Sequence, residues 1–107
     1  PTGYKGDNAP QRKPNYNMNK TLVRQEIDEV RKQSLENCGI RTTCVGVYYS
    51  SDSEEVVICY DNDDESENVD VYTADDKSLT FVDSYESQKE FFNSDRWAEG
   101  AFEKIDM

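Results

Sequence analysis

A chain of 107 residues with a formal charge of −11 and 35 % hydrophobic residues has room for one domain and one core. Seven Tyr, four Phe and one Trp are too many for a wholly disordered acidic tail. Histidine is absent, which removes the commonest general base near neutral pH, and no apolar run approaches the ~18–20 residues of a membrane helix.

The charge is divided rather than spread. Residues 1–41 hold eight Lys/Arg and five Asp/Glu, a balance of +3, whereas residues 42–107 hold four and eighteen, a balance of −14. A surface so negative repels nucleic acid and anionic membrane and attracts basic surfaces. The three cysteines, Cys38, Cys44 and Cys59, are odd in number and fit no disulfide framework. They read as reduced thiols of a cytoplasmic protein.

Residues 1–18 contain all three prolines and two of the five glycines, with Lys5, Arg12 and Lys13. They read as a flexible, mildly basic arm before a single acidic domain over residues 19–107. A helix is expected from Thr21, as its N-cap, to Cys38. Val23, Ile27, Val30 and Ser34 make one stripe of a 3.6-residue period, and Gly39 ends it. Arg24, Arg31 and Lys32 are expected on the opposite, solvated side with Glu26, Asp28 and Glu29.

Four strands follow: Ile40–Tyr49, Val56–Tyr60, Val69–Thr73 and Leu79–Val82, each rich in β-branched and aromatic residues. The second is apolar on both faces and belongs in the middle of the sheet. Short connections favour an antiparallel meander. At the C-terminal end Ser87 and Glu90 fit a capping box, and Ser94 caps a second helical piece. Ala98, Ala101, Phe102 and Ile105 then read as its apolar stripe. The fold class expected is α+β, a four-stranded antiparallel meander with an N-terminal and a C-terminal helix packed on one face. Adjacent Phe91 and Phe92, with Trp97, cannot all share one side of a helix, so one of them is expected at the surface.

In a meander, alternate turns lie at opposite ends of the sheet. Asp52, Glu54 and Glu55 therefore share one end with Asp75 and Asp76. Asp61, Asp63, Asp64, Glu65 and Glu67 occupy the other, with Asp70 just beyond. These eleven carboxylates are the candidate partner-binding residues. Asp83, Glu86 and Glu90 continue the acidic run into the last helix. Same-face residues on a strand repeat every ~6.6–6.8 Å. Two phosphate steps along a DNA strand cover about the same axial distance.

Other chemistry finds little footing. Asp61–Glu65 resembles the start of a calcium loop, but the sixth and twelfth positions are Ser66 and Tyr72 rather than Gly and Glu. Three cysteines at this spacing do not make a zinc site, and neither a glycine-rich phosphate loop nor G-x-S-x-G is present. Cys44 and Cys59 can face each other across the first hairpin, or be two small buried thiols. No catalytic residue, metal or cofactor is expected.

In size and charge the chain resembles small acidic α+β proteins of phages and mobile elements, including anti-restriction and anti-CRISPR proteins. The resemblance is compositional, covers residues 42–107 and transfers no functional residue. It implies an inhibitor or decoy that blocks the basic nucleic-acid-binding surface of a target protein, with no direct contact to nucleic acid. The alternative is an immunity protein or small regulatory subunit for another basic partner.

Overall fold

Asn19 starts the first helix, two residues before the cap expected from the sequence: its side-chain oxygen accepts from the backbone N–H of Thr21 and Leu22 at 3.0 and 3.3 Å. The helix, α1, spans Lys20–Cys38 in a computed structural model that describes residues 18–107. The expectation of a basic arm falls almost wholly outside these residues, but Met18, placed at its end, is buried in the core. Gly39 closes α1 in the left-handed region at φ 69°, and its N–H and that of Ile40 return to Leu35 and Ser34.

Strands β1 (Thr42–Ser50), β2 (Glu55–Asn62), β3 (Glu67–Ala74) and β4 (Leu79–Tyr85) form the expected antiparallel meander, followed by α2 (Gln88–Phe92) and α3 (Asp95–Gly100). A fifth strand, β5 (Glu103–Lys104), extends the sheet to the order β4-β3-β2-β1-β5. It occupies residues expected to continue the last helix. Ala101 takes a left-handed φ of 52° and reverses the chain, so that Lys104 and Glu103 pair with Tyr48 and Tyr49. The N–H of Ile105 then donates to Val47 at 2.8 Å.

The helices lie on opposite faces of the sheet, not on one. Alternation along the strands turns Val56, Ile58 and Tyr60 toward α1, and Val57 and Cys59 toward α2 and α3. All five are fully buried. A central strand that is apolar on both sides needs a layer on each, and that requirement overrides the simpler two-layer arrangement. On the α1 side Val23, Ile27 and Val30 cover Val47, Tyr49 and Ile58. On the other side Phe91 sits among Tyr85, Phe92, Trp97 and Phe102 at ring separations of 5.4–5.9 Å. Phe102 belongs to this aromatic layer and Ile105 to the α1 layer, so the C-terminal segment crosses the sheet edge and joins both cores.

None of Phe91, Phe92 and Trp97 is at the surface. Phe91 is buried, and Phe92 and Trp97 are half-buried against Tyr48. Among the described residues the exposed aromatic is Phe81, on edge strand β4. Cys44 and Cys59 do not face each other either. A bulge between Cys44 and Gly46 pairs Cys44 with Tyr60 and Gly46 with Cys59, which leaves the two thiols on opposite faces. All three cysteines are free.

Candidate acidic interface

The turns carry the carboxylates, and backbone hydrogen bonds fix them. At one end of the sheet the N–H of Ala74 donates to the Glu54 carbonyl at 2.8 Å, which joins the first and third turns. Glu54, Ala74, Asp75 and Asp76 line a hollow of about 320 Å³ there. Asp75 Oδ1 accepts from the N–H groups of Lys77 and Ser78, both at 2.8 Å, and these bonds hold its carboxyl below the usual range. Asp52 is exposed in the same turn region.

At the other end the loop between β2 and β3 closes on itself. Asn62 N–H donates to Ser66 at 2.9 Å and Glu65 N–H to Asn62 at 3.0 Å, while Asp63 N–H reaches the Arg41 carbonyl at 2.9 Å. Asp64 accepts from the hydroxyl and backbone N–H of Ser66, which lower its pKa. Asp63, Asp64 and Glu65 are exposed. Asp61 and Glu67, paired across β2 and β3, instead accept from Gln88 and anchor the start of α2.

Glu54 and Glu65 stand at the tips of these two turns with φ of 57° and 72°. A side chain disfavours that left-handed backbone, and Gly or Asn is the easier residue there. The strand between the turns, eight residues long, separates the acidic ends by roughly 25 Å.

Two expected members are turned toward the helices. Glu55 is turned toward α3 and paired with Arg96 at 3.2 Å. Asp70, just beyond the loop, lies on the α1 face of β3, half-buried, where alternation places it with Tyr72 and opposite Val69 and Val71. Arg96 also bonds Asp83 at 2.6 Å and the Tyr85 hydroxyl at 3.0 Å. Among the described residues the salt bridges are those of Arg96, and Asp63, Asp64, Glu65, Asp75 and Asp76 take part in none of them.

Glu26, expected in solvent, is half-buried instead, and Tyr72 donates its hydroxyl to Glu26 Oε2 at 3.1 Å. At 3.6 residues per turn Glu26 lies only about 60° from the Val23 stripe, a signal present in the sequence. Arg31, Lys32 and Arg41 gather with Asp28 around a separate hollow near the start of β1. No helix among the described residues is long and apolar enough to cross a membrane.

Comparison with protein-family models, with curated proteins and with solved structures gives no match for this chain.

Proposed function

We propose that this is an acidic binding protein that occupies the basic, nucleic-acid-binding surface of a target protein, as an inhibitor or decoy of the phage or mobile-element anti-defence type, such as an anti-CRISPR or anti-restriction protein. The observation that carries the reading is the pair of acidic turn clusters, Glu54, Asp75 and Asp76 at one end and Asp63, Asp64 and Glu65 at the other, held by backbone hydrogen bonds and free of salt bridges among the described residues. Acidic turns roughly 25 Å apart correspond to the axial rise of about seven base-pair steps. Two further features support it. Glutamates occupy strained turn tips where glycine would fold more easily. A charge of −11 on so small a chain steers association with a cationic surface.

The protein acts by binding, not by catalysis, and has no direct nucleic-acid or membrane partner. The exposed pair Phe81 and Val82 on the free edge of β4 favours one alternative, an immunity protein or small regulatory subunit that grips a basic partner through an apolar contact as well. The two readings part on competition. Duplex DNA or RNA displaces a decoy from its target, whereas an immunity protein bound away from the nucleic-acid site stays in place.

A further inference from the structure

Among the described residues the α1 side of the sheet is only partly covered. α1 packs over β1, while on β4, at the far edge, Phe81 opposite Tyr72 is 57 % exposed. Between them β3 carries Asp70, half-buried, and Tyr72, buried, on the α1-facing side. Glu26 of α1 meets them there through the Tyr72 hydroxyl, and on α1 itself Glu26, Glu29, Val30, Gln33 and Ser34 line a hollow of about 280 Å³.

Asp70 is half-buried, yet its side chain has no hydrogen bond and no salt bridge within the described residues. Burial first, and then the like charge of Glu26, raises the Asp70 pKa. Buried carboxylates are ordinarily paired. Tyr60 stands one diagonal step away on the same face, fully buried, with a hydroxyl that finds no hydrogen-bond partner. Asp70, Tyr72 and Glu26 all act electrostatically on that hydroxyl, so it belongs to the same locus. Two carboxylates and a phenol oxygen thus lie close together, and no cation among the described residues pairs with them.

A hard divalent ion fits this corner poorly, since calcium takes six to eight oxygens and no three ligating groups converge among the described residues. An organic cation fits better. Phe81 stands edge-to-face on Tyr72 at 5.9 Å and presents an apolar wall beside the acids. We propose that this corner of Glu26, Asp70 and Phe81 around Tyr72 seats an arginine side chain of the basic partner, with Glu26 and Asp70 taking the guanidinium and Phe81 its flat face. Guanidinium suits the place better than ammonium because it is planar, weakly hydrated and stacks on aromatic rings. The proposal rests on the reading of the protein as a binder of basic surfaces and names the side chain that one part of it recognises.

The test is a titration of the full ¹⁵N-labelled chain with N-acetyl-arginine amide, followed by backbone amide shifts. N-acetyl-lysine amide and Mg²⁺ serve as parallel titrants. Saturable shifts centred on Glu26, Asp70 and Phe81 are expected, stronger for arginine than for lysine. Asp70→Asn weakens them about tenfold, the equivalent of one charge-assisted hydrogen bond. Neutralising Asp63, Asp64, Glu65, Asp75 and Asp76 leaves them in place. Asp70→Asn removes a like-charge contact, so its folding is retained, and its amide spectrum verifies this. Equal shifts in Asp70→Asn, equal shifts with Mg²⁺, or no saturation at these positions overturns the proposal. If the titration fails while nucleic acid still displaces the target, the arginine seat falls and the decoy reading stands. If it succeeds while displacement fails, the decoy reading falls and the seat stands.

Discussion

Tyr72 and Glu26 join the third strand to the first helix: the phenol, almost wholly buried, donates to Glu26 Oε2 across 3.1 Å and holds that carboxylate beside Asp70. The bond stabilises the contact and at the same time enforces a like-charge neighbour. Tyr72→Phe therefore lowers stability by about 1.5–3 kcal/mol, the range for hydrogen bonds to charged groups, in urea denaturation at neutral pH.

Asp70→Asn acts in the opposite direction and raises the thermal midpoint. Burial first, then Glu26, lifts the Asp70 pKa, so the native state holds its proton more tightly than the unfolded chain does. Stability contributed by this group falls as pH rises from the unfolded carboxylate value of about 3.9 through the raised native value. The gain from Asp70→Asn is thus full at neutral pH and vanishes in acid. Asp83 has the reverse sign. The hydrogen bond from Arg96 depresses its pKa, so its contribution is present at neutral pH and is lost as pH falls through that depressed value. Thermal melts of the wild type, Asp70→Asn and Asp83→Asn between acid and neutral pH check both signs.

Glu54→Gly and Glu65→Gly separate folding from binding. Each relieves a left-handed backbone, a strain of roughly 1–2 kcal/mol that the entropy of glycine partly offsets. Both variants are expected to melt at or above the wild-type temperature while binding the target more weakly, with a shallower salt dependence. A drop in melting temperature of several degrees would show that these two turn tips are not strained.

Phe91 holds the aromatic layer together. Phe91→Ala costs about 3–5 kcal/mol, because it empties a site ringed by four aromatic side chains that cannot collapse into it. Urea denaturation gives the loss, and Trp97 fluorescence, 5.6 Å from the Phe91 ring, reports the loosened packing.

The thiols differ in reactivity. Cys38 is exposed, Cys44 is half-buried with a raised pKa, and burial pushes Cys59 up to about 12. An aromatic disulfide reagent at pH 8 is expected to modify Cys38 rapidly in the native protein, Cys44 slowly, and Cys59 only on unfolding. Mass spectrometry of the labelled peptides distinguishes the three.

Periodicity makes α1, the order of the strands and the acidic turns legible, because each rests on local chemistry: the Val23 stripe, the β-branched runs and the Asp-rich connections. What escapes a sequence reading is set by pairing across distance. Ala98, Ala101, Phe102 and Ile105 do fit a helical stripe, yet the left-handed Ala101 and the open edge of β1 make two of them flank a strand. The bulge after Cys44 is a register event with no local signature, and it alone sends Cys44 and Cys59 to opposite faces. Asp70 and Glu26 do carry a local signal. Counting back by two from Tyr72 and by 100° steps from Val23 puts both beside the α1–β3 contact, although a carboxylate just beyond an Asp-rich loop looks like a continuation of that loop.

The most direct measurement is capture of the target from host lysate by the wild-type protein and by the variant Asp63→Asn, Asp64→Asn, Glu65→Gln, Asp75→Asn, Asp76→Asn, each with and without competing duplex DNA or RNA. The wild type is expected to retain a nucleic-acid-binding protein that the competitor releases, and the folded variant to retain little of it. A folded variant that holds the same protein equally well, unmoved by nucleic acid, would refute a decoy built on the acidic turns.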